Sequence, residues 1–144
     1  MNYSENNSES ERPLITFALF AYCQEQFIAE AVQGALSQTY TPLEIILSDD
    51  CSPDATFQIM QEEAAKYVGP HRVIVRRNEY NVGLGNHVNL LMGLAQGKIV
   101  VVAAGDDISL PNRTERIWQE YLKLAGRAYS IFSNEYLIDA AGNQ

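Results

Sequence analysis

Short apolar runs alternate with stretches of helical spacing along most of this chain. Leu14 to Phe20 (LITFALF) is rich in strand formers, and Leu43 to Ser48, Arg72 to Arg76 and Lys98 to Ala103 repeat the pattern. Between these runs, apolar residues recur every three or four positions, the interval of one helix face. Phe27, Ile28, Ala31, Val32, Ala35 and Leu36 form the first stripe, and Phe57, Met60, Ala64 and Tyr67 the second. Val88, Leu91, Met92 and Ala95 form the third, with Gly97 as its stop. Ser52 is placed to cap the second helix, with Pro53 in its first turn. A fourth helix is expected from Pro111, with Ile117, Tyr121 and Leu124 on one side. Tyr129 to Ser133 reads as a fifth strand, and Glu135 to Asp139 as a sixth, ahead of a turn at Gly142-Asn143.

Strand and helix alternating four times at close spacing predicts βαβ units. The expected fold is therefore α/β and Rossmann-like, a mostly parallel sheet with helices on both faces. Residues 1–12 (MNYSENNSESER) are polar, with Tyr3 as the one large apolar side chain, and read as a flexible tail. Residues 13–144 read as one domain, ending at a turn signal just after a strand, as a cut chain would.

Composition narrows the function. An apolar share of 47% supports an ordinary core, and a net charge of −8 with ten Lys and Arg argues against a nucleic-acid surface or anionic lipid. There is no basic stretch leading into an apolar one at the start, and no apolar run of the ~20 residues that span a bilayer. A cytoplasmic location is expected, with peripheral membrane association of a full-length protein left open. Cys23 and Cys51 have no CxxC partner, which argues against zinc and for two reduced thiols.

Parallel sheets bind ligands outside the carboxyl ends of their strands. After the first strand come Ala21, Tyr22, Cys23, Gln24 and Glu25; after the second, Asp49, Asp50, Cys51 and Ser52. After the third come Asn78 and Asn81-Val82-Gly83, and after the fourth Gly105-Asp106-Asp107. Adjacent carboxylates on a tight loop suit a hard divalent cation such as Mg²⁺ or Mn²⁺. Taken alone, Asp106-Asp107 reads more readily as a cap for the turn before Pro111; the second pair at another strand end strengthens the metal reading. With Ser52 as cap, Asp49 and Asp50 are expected to be free, and a carboxylate there can accept a nucleobase N–H. Tyr22 can stack on the base, though alone it reads as an ordinary half-buried ring. No GxxxxGKS/T is present, and no GxGxxG follows the first strand, so a bound diphosphate would draw its counter-charge from the metal.

The string LITFALFAYCQEQFIAEAVQGALSQTYTPLEIILSDDCSPDAT resembles the opening of family 2 glycosyltransferases. Tyr22, Ser37-Gln38-Thr39-Tyr40 and Glu44 through Thr56 carry the likeness, followed by Asn81-Val82-Gly83, Asn89, Gly97-Lys98 and Gly105-Asp106-Asp107. The resemblance runs from about Pro13 to Asp139. It implies a GT-A fold truncated on the acceptor side, so that 13–144 is a partial nucleotide-sugar-binding domain. It implies that Tyr22 stacks on the base, usually uracil, and that Asp50 bonds the base edge. Ala21 and Glu25 line the same pocket, Asn81 and Asp49 belong to its rim, Asp106 contacts the sugar or ribose, and Asp107 ligates Mg²⁺ or Mn²⁺. The implied reaction is transfer of a sugar from a UDP-sugar or dTDP-sugar to a saccharide or lipid-linked acceptor hydroxyl, with inversion.

The chain departs from the family pattern in places. Cys23 stands where an amide is usual, Gly105 where the metal motif has its first acid, and His87 and Val88 where an arginine precedes Asn89. His87 either takes over a phosphate or base contact or is structural. The general base is expected beyond Gln144, so the fragment is expected to bind donor and turn over slowly. A non-catalytic nucleotide-sugar-binding module is the alternative. A receiver domain is disfavoured because its acid pair follows the first strand, and a pyrophosphorylase because a Gly-rich basic loop is missing. Exposed strand edges leave a homodimer open.

Overall fold

The computed structural model describes residues 12–139 and 141–144. The tail expected over 1–12 thus lies outside the described residues except for Arg12. That guanidinium pairs with Glu115 and lies 4.2 Å from the centre of the Tyr40 ring, so Arg12 belongs to the folded body.

Four strands form one parallel sheet: β1 (Ile15–Ala21), β2 (Leu43–Asp49), β3 (Arg72–Arg77) and β4 (Val100–Ala104), in the order β3-β2-β1-β4. Helix α1 (Ile28–Leu36) joins β1 to β2, α2 (Thr56–Ala65) joins β2 to β3, α3 (Leu84–Leu94) joins β3 to β4, and α4 (Arg113–Lys123) follows β4. The expected α/β architecture is present, with helices on both faces.

The two faces are unequal. Phe17, Leu19, Ile45, Leu47, Val101 and Ala103 pack with Ile28 and Val32 of α1, Met60 of α2 and Trp118 of α4. On the opposite face, Ala18 and Ile46 meet Leu91 of α3, flanked by Phe20, Ile74 and Val100. Strands β1 and β2 are central and covered on both sides, which is why they read as mainly apolar runs, broken by Thr16 in β1 and by Glu44, Ser48 and Asp49 in β2. Each large side chain buried this way contributes roughly 1.5–3 kcal/mol.

The α3 face also carries buried polar groups. Glu44 accepts from Thr16 Oγ1 at 2.8 Å and from Gln96 N at 3.1 Å, with Arg72 Nη1 3.5 Å away. Thr16 Oγ1 in turn accepts from Gly97 N at 2.9 Å. Gly97 was expected to stop α3, but Ala95 already has extended angles (φ −62, ψ 132). The reason for glycine is a close approach: a Cβ at 97 would lie 2.3 Å from Thr16 N.

Two other expectations fail. Residues 129–133 and 135–139 form no strand. Tyr129 and Phe132 are exposed, and a cavity of about 1000 Å³ separates this segment from the outer side of β4. A strand exists through its ladder, and here the backbones do not meet. Ser52 does not cap α2, which begins only at Thr56. Asp54 instead accepts from Thr56 N at 3.0 Å, and Glu25 accepts from Ala55 N at 2.9 Å.

Gly97→Ala is expected to destabilise the domain by about 1–3 kcal/mol, because the clash is with backbone. Gly85→Ala meets nothing within 4 Å and should stabilise, by up to about 1 kcal/mol, through helix propensity. Chemical denaturation of the two variants measures both effects.

Candidate functional site

The chain runs β1 to β2 to β3 in one direction and then crosses to β4 on the far side of β1. The reversal point therefore lies between β1 and β4, where open parallel sheets hold ligands. Backbone bonds lash the rim loops together. Asp50 N donates to Ala21 O, Gly105 N to Phe20 O and Asn78 N to Asp49 O, each at 2.9 Å. Asp50 and the Asp106-Asp107 pair consequently flank the end of β1 on one rim.

Asp50 is almost fully buried, at 2% exposure. Its Oδ1 accepts from Asn78 Nδ2 at 2.6 Å and Val82 N at 2.9 Å, and its Oδ2 accepts from Gly83 N at 2.9 Å. Burial alone would raise this carboxyl; the Val82, Asn78 and Gly83 donors outweigh it and hold the pKa below the usual range. Two carboxylate oxygens offer about four acceptor positions, so one position on Oδ2 is left. Tyr22 is half exposed on the loop after β1, which Asp50 N bonds through Ala21 O; the Cys23 thiol first, and the Asp50 charge among other causes, raise its phenol pKa. A flat ring beside a lone acceptor suits a planar base that presents an N–H. Asn81 Nδ2 donates to Asp50 O at 3.2 Å and braces the same loop.

The structure divides the first acid pair. Asp49 was expected to be free because Ser52 would act as cap; it is fully buried and bonded within the protein. Its Oδ2 accepts from Ser52 N at 2.9 Å, its Oδ1 from Ser52 Oγ at 2.5 Å, and Arg77 Nε lies 3.2 Å away. Asp49 thus holds the loop that presents Asp50. Cys23 N donates to Ser52 Oγ at 2.9 Å, and Cys23 and Cys51 both take left-handed angles (φ 54 and 61). An amide residue tolerates that region better than cysteine, which is the local cost of Cys23. Ala21 is buried and forms floor between the loops. Glu25 stands at the cleft edge but has one oxygen committed to the start of α2.

Asp106 and Asp107 are both exposed. Partial burial, then the charges of Asp106 and Glu135, push the Asp107 carboxyl above its ordinary range against the pull of Arg113. Unlike Asp50, Asp107 has no hydrogen-bond donor among those causes. Arg113 is not available to a ligand; it donates to Val102 O and Ser109 Oγ, each at 3.0 Å, beneath the loop. Gly105 is required: a Cβ there would lie 2.5 Å from Gln24 Oε1 and 2.8 Å from Ala21 Cβ. A side chain at 105 would have to displace the Gln24 amide and press on Ala21 Cβ. Among the described residues no cluster of three His, Cys, Asp or Glu forms a metal cage.

His87, expected either to reach a ligand or to be structural, is 2% exposed and lies 2.6 Å from Ser48 Oγ. It is structural. Glu135, close enough to act on Asp107, was missed because it sits in a segment read as strand. Asn78 was noted on the rim, but its bond to Asp50 depends on strand register, which the sequence does not print.

Residues 16–139 match the model for Glycosyl transferase family 2. The chain belongs to this family. It is 36% identical over 105 residues to an uncharacterized glycosyltransferase of Haemophilus influenzae, covering 73% of this chain and 32% of that protein. It is 30% identical over 131 residues to a chondroitin synthase of Escherichia coli, covering 91% of this chain and 18% of the synthase. Staphylococcus aureus TarS 1–349 in complex with UDP-GlcNAc superimposes with a TM-score of 0.65 at 24% identity, over 76% of this chain and 31% of that one. The mannosyltransferase PcManGT from Pyrobaculum calidifontis, in complex with GDP-Man and Mn²⁺, gives 0.60 at 23% identity, over 67% and 28%. These likenesses show the GT-A fold. The chain spans 32%, 37% and 46% of the length of three curated relatives. No helix among the described residues of this family 2 domain is long and apolar enough to cross a membrane.

The two site acids should affect stability in opposite directions. Asp50 has a lowered pKa, so its contribution is full above the unfolded value near 4 and is lost as pH falls through the folded value. Asp50→Asn should cost about 2–4 kcal/mol near neutral pH, and the deficit should shrink below about pH 4. Asp107 has a raised pKa, so its cost to folding grows as pH rises from the unfolded value near 4 and is complete above the folded value. Asp107→Asn should stabilise the ligand-free protein by no more than about 1 kcal/mol, because solvent screens the repulsion. Thermal melts across pH test both signs.

Proposed function

We propose that this domain binds a nucleotide-diphospho-sugar and that the full-length protein transfers the sugar to an acceptor hydroxyl with inversion. The observation that supports this most is the contrast on one rim between Asp50, satisfied by neutral donors with one acceptor position spare, and Asp107, left without a donor among the described residues. A UDP-sugar or dTDP-sugar fits, since both bases present a ring N–H to Asp50 while Tyr22 covers the ring. Glycosyltransferase family 2 membership supports the reaction class, and the UDP-GlcNAc and GDP-Man complexes of similarly folded proteins support the ligand class.

The residues present fit a hard divalent ion. Asp107 offers oxygen without competing donors, and its raised pKa marks a site where added positive charge is favourable. One carboxylate is too few for a cage, but would suit Mg²⁺ or Mn²⁺ if the remaining oxygens came from a diphosphate and water. Asp107 would hold the ion, which when bound would neutralise the diphosphate and stabilise the departing phosphate. Asp106 would face the ribose or sugar. Asp49 and Arg77 keep the Asp50 loop fixed, so that the base is read by a preset acceptor. Saccharide and lipid-linked acceptors both remain within this reading.

Calorimetry with UDP, dTDP and GDP, each with and without Mn²⁺, tests it. At least one should bind, and omission of Mn²⁺ or Asp107→Ala should weaken it at least about tenfold, the worth of one charged contact. Binding that ignores both metal and Asp107 would contradict the metal assignment.

A further inference from the structure

The donor reading leaves unused a polar chain behind Asp50. Arg76 of β3 donates from Nη1 to Ser48 Oγ at 2.5 Å and from Nη2 to Asn78 Oδ1 at 2.6 Å. Asn78 Nδ2 donates to Asp50 Oδ1 at 2.6 Å, and Ser48 Oγ lies 2.6 Å from His87 Nε2. Ser48 pairs with Arg76 in the β2–β3 register, so both side chains rise on the α3 side of the sheet, where His87 waits.

The direction of this chain is set at its centre. A guanidinium only donates. Asn78 must therefore turn its oxygen toward Arg76 and its NH₂ toward Asp50. The flipped amide would set NH₂ against guanidinium and oxygen against carboxylate, two repulsive contacts. Ser48 Oγ likewise accepts from Arg76 and has its single proton free for His87 Nε2. A neutral ring accepts it, in keeping with the lowered His87 pKa: burial lowers it first, Arg76 adds to this, and Asp50 and Asp49 oppose.

We propose that Arg76 is a positioning residue for donor recognition: acting through Asn78, it fixes Asp50 as an acceptor with one open position and makes the pocket select a base bearing a ring N–H. The inference rests on the donor-binding reading above. Arg76 needs no contact with the ligand. Its effect is selective, because it acts on the acceptor character of one carboxylate and not on the stacking surface or the diphosphate.

The test compares UDP with N3-methyl-UDP, which lacks only the ring N–H, by calorimetry of the whole chain with Mn²⁺. The wild type should prefer UDP by about tenfold or more, the worth of a hydrogen bond to a charged group. Arg76→Met should lower UDP affinity to that of N3-methyl-UDP, whose own affinity stays put, and Arg76→Lys should restore part of the preference. Asn78→Ala should reproduce the loss with Arg76 intact, and carries the test should Arg76→Met not fold. An unchanged preference in these variants, or equal weakening of both nucleotides, overturns the proposal. A wild type that binds both nucleotides equally defeats instead the reading of Asp50 as base contact, and one that binds neither defeats the donor reading; the proposal falls with either.

Discussion

Three neutral donors converge on the Asp50 carboxylate, and the rest of the rim is arranged around that convergence. Asn78 comes from the end of β3 and Val82 and Gly83 from the turn into α3, while Asp50 itself follows β2. One buried anion thus ties three consecutive segments of chain to the end of β1. Removing water from a carboxylate is costly unless its lone pairs are filled. The donors fill three positions and leave one, so the same bonds that stabilise the loops leave a single acceptor for a ligand. Asp49 supports this from below, buried and bonded to Ser52 and Arg77.

The other side of β1 follows the opposite rule. Among the described residues Asp107 gains no donor, and burial with the charges of Asp106 and Glu135 sets its charge against folding. Stability is given up at the point where binding of a metal and diphosphate would recover it. Gly105 stands where the usual motif has its first acid, and a Cβ there would lie 2.8 Å from Ala21 Cβ and 2.5 Å from the Gln24 amide oxygen. Under the proposed metal reading, the ion would have one acid fewer and would rest on Asp107.

Much of this was legible in the sequence. The four strands and four helices follow from apolar runs alternating with helical stripes, because central parallel strands are apolar on both faces. The rim residues follow from asking what comes after each strand. What failed did so for local reasons. Tyr129 to Ser133 has strand-forming residues but no ladder partner, which pattern alone cannot reveal. Ser52 has the chemistry of a cap, yet the helix starts later and the hydroxyl bonds Asp49 instead. Asp49 is thereby held in the fold and is not free at the rim. Ser48 and Arg76 each end a strand run in the sequence; only the β2–β3 register brings them together with Asn78 and His87.

The central claim is that surroundings push two acids on one rim in opposite directions, one ready to read a base and one ready for a cation. The carboxyl ¹³C shifts of Asp50 and Asp107, followed by NMR in the ligand-free protein from acid to neutral pH, measure this directly. Asp50 should titrate below the ordinary value of about 3.9 and Asp107 above it. Both acids titrating together near that value, or in the reverse order, would contradict the account.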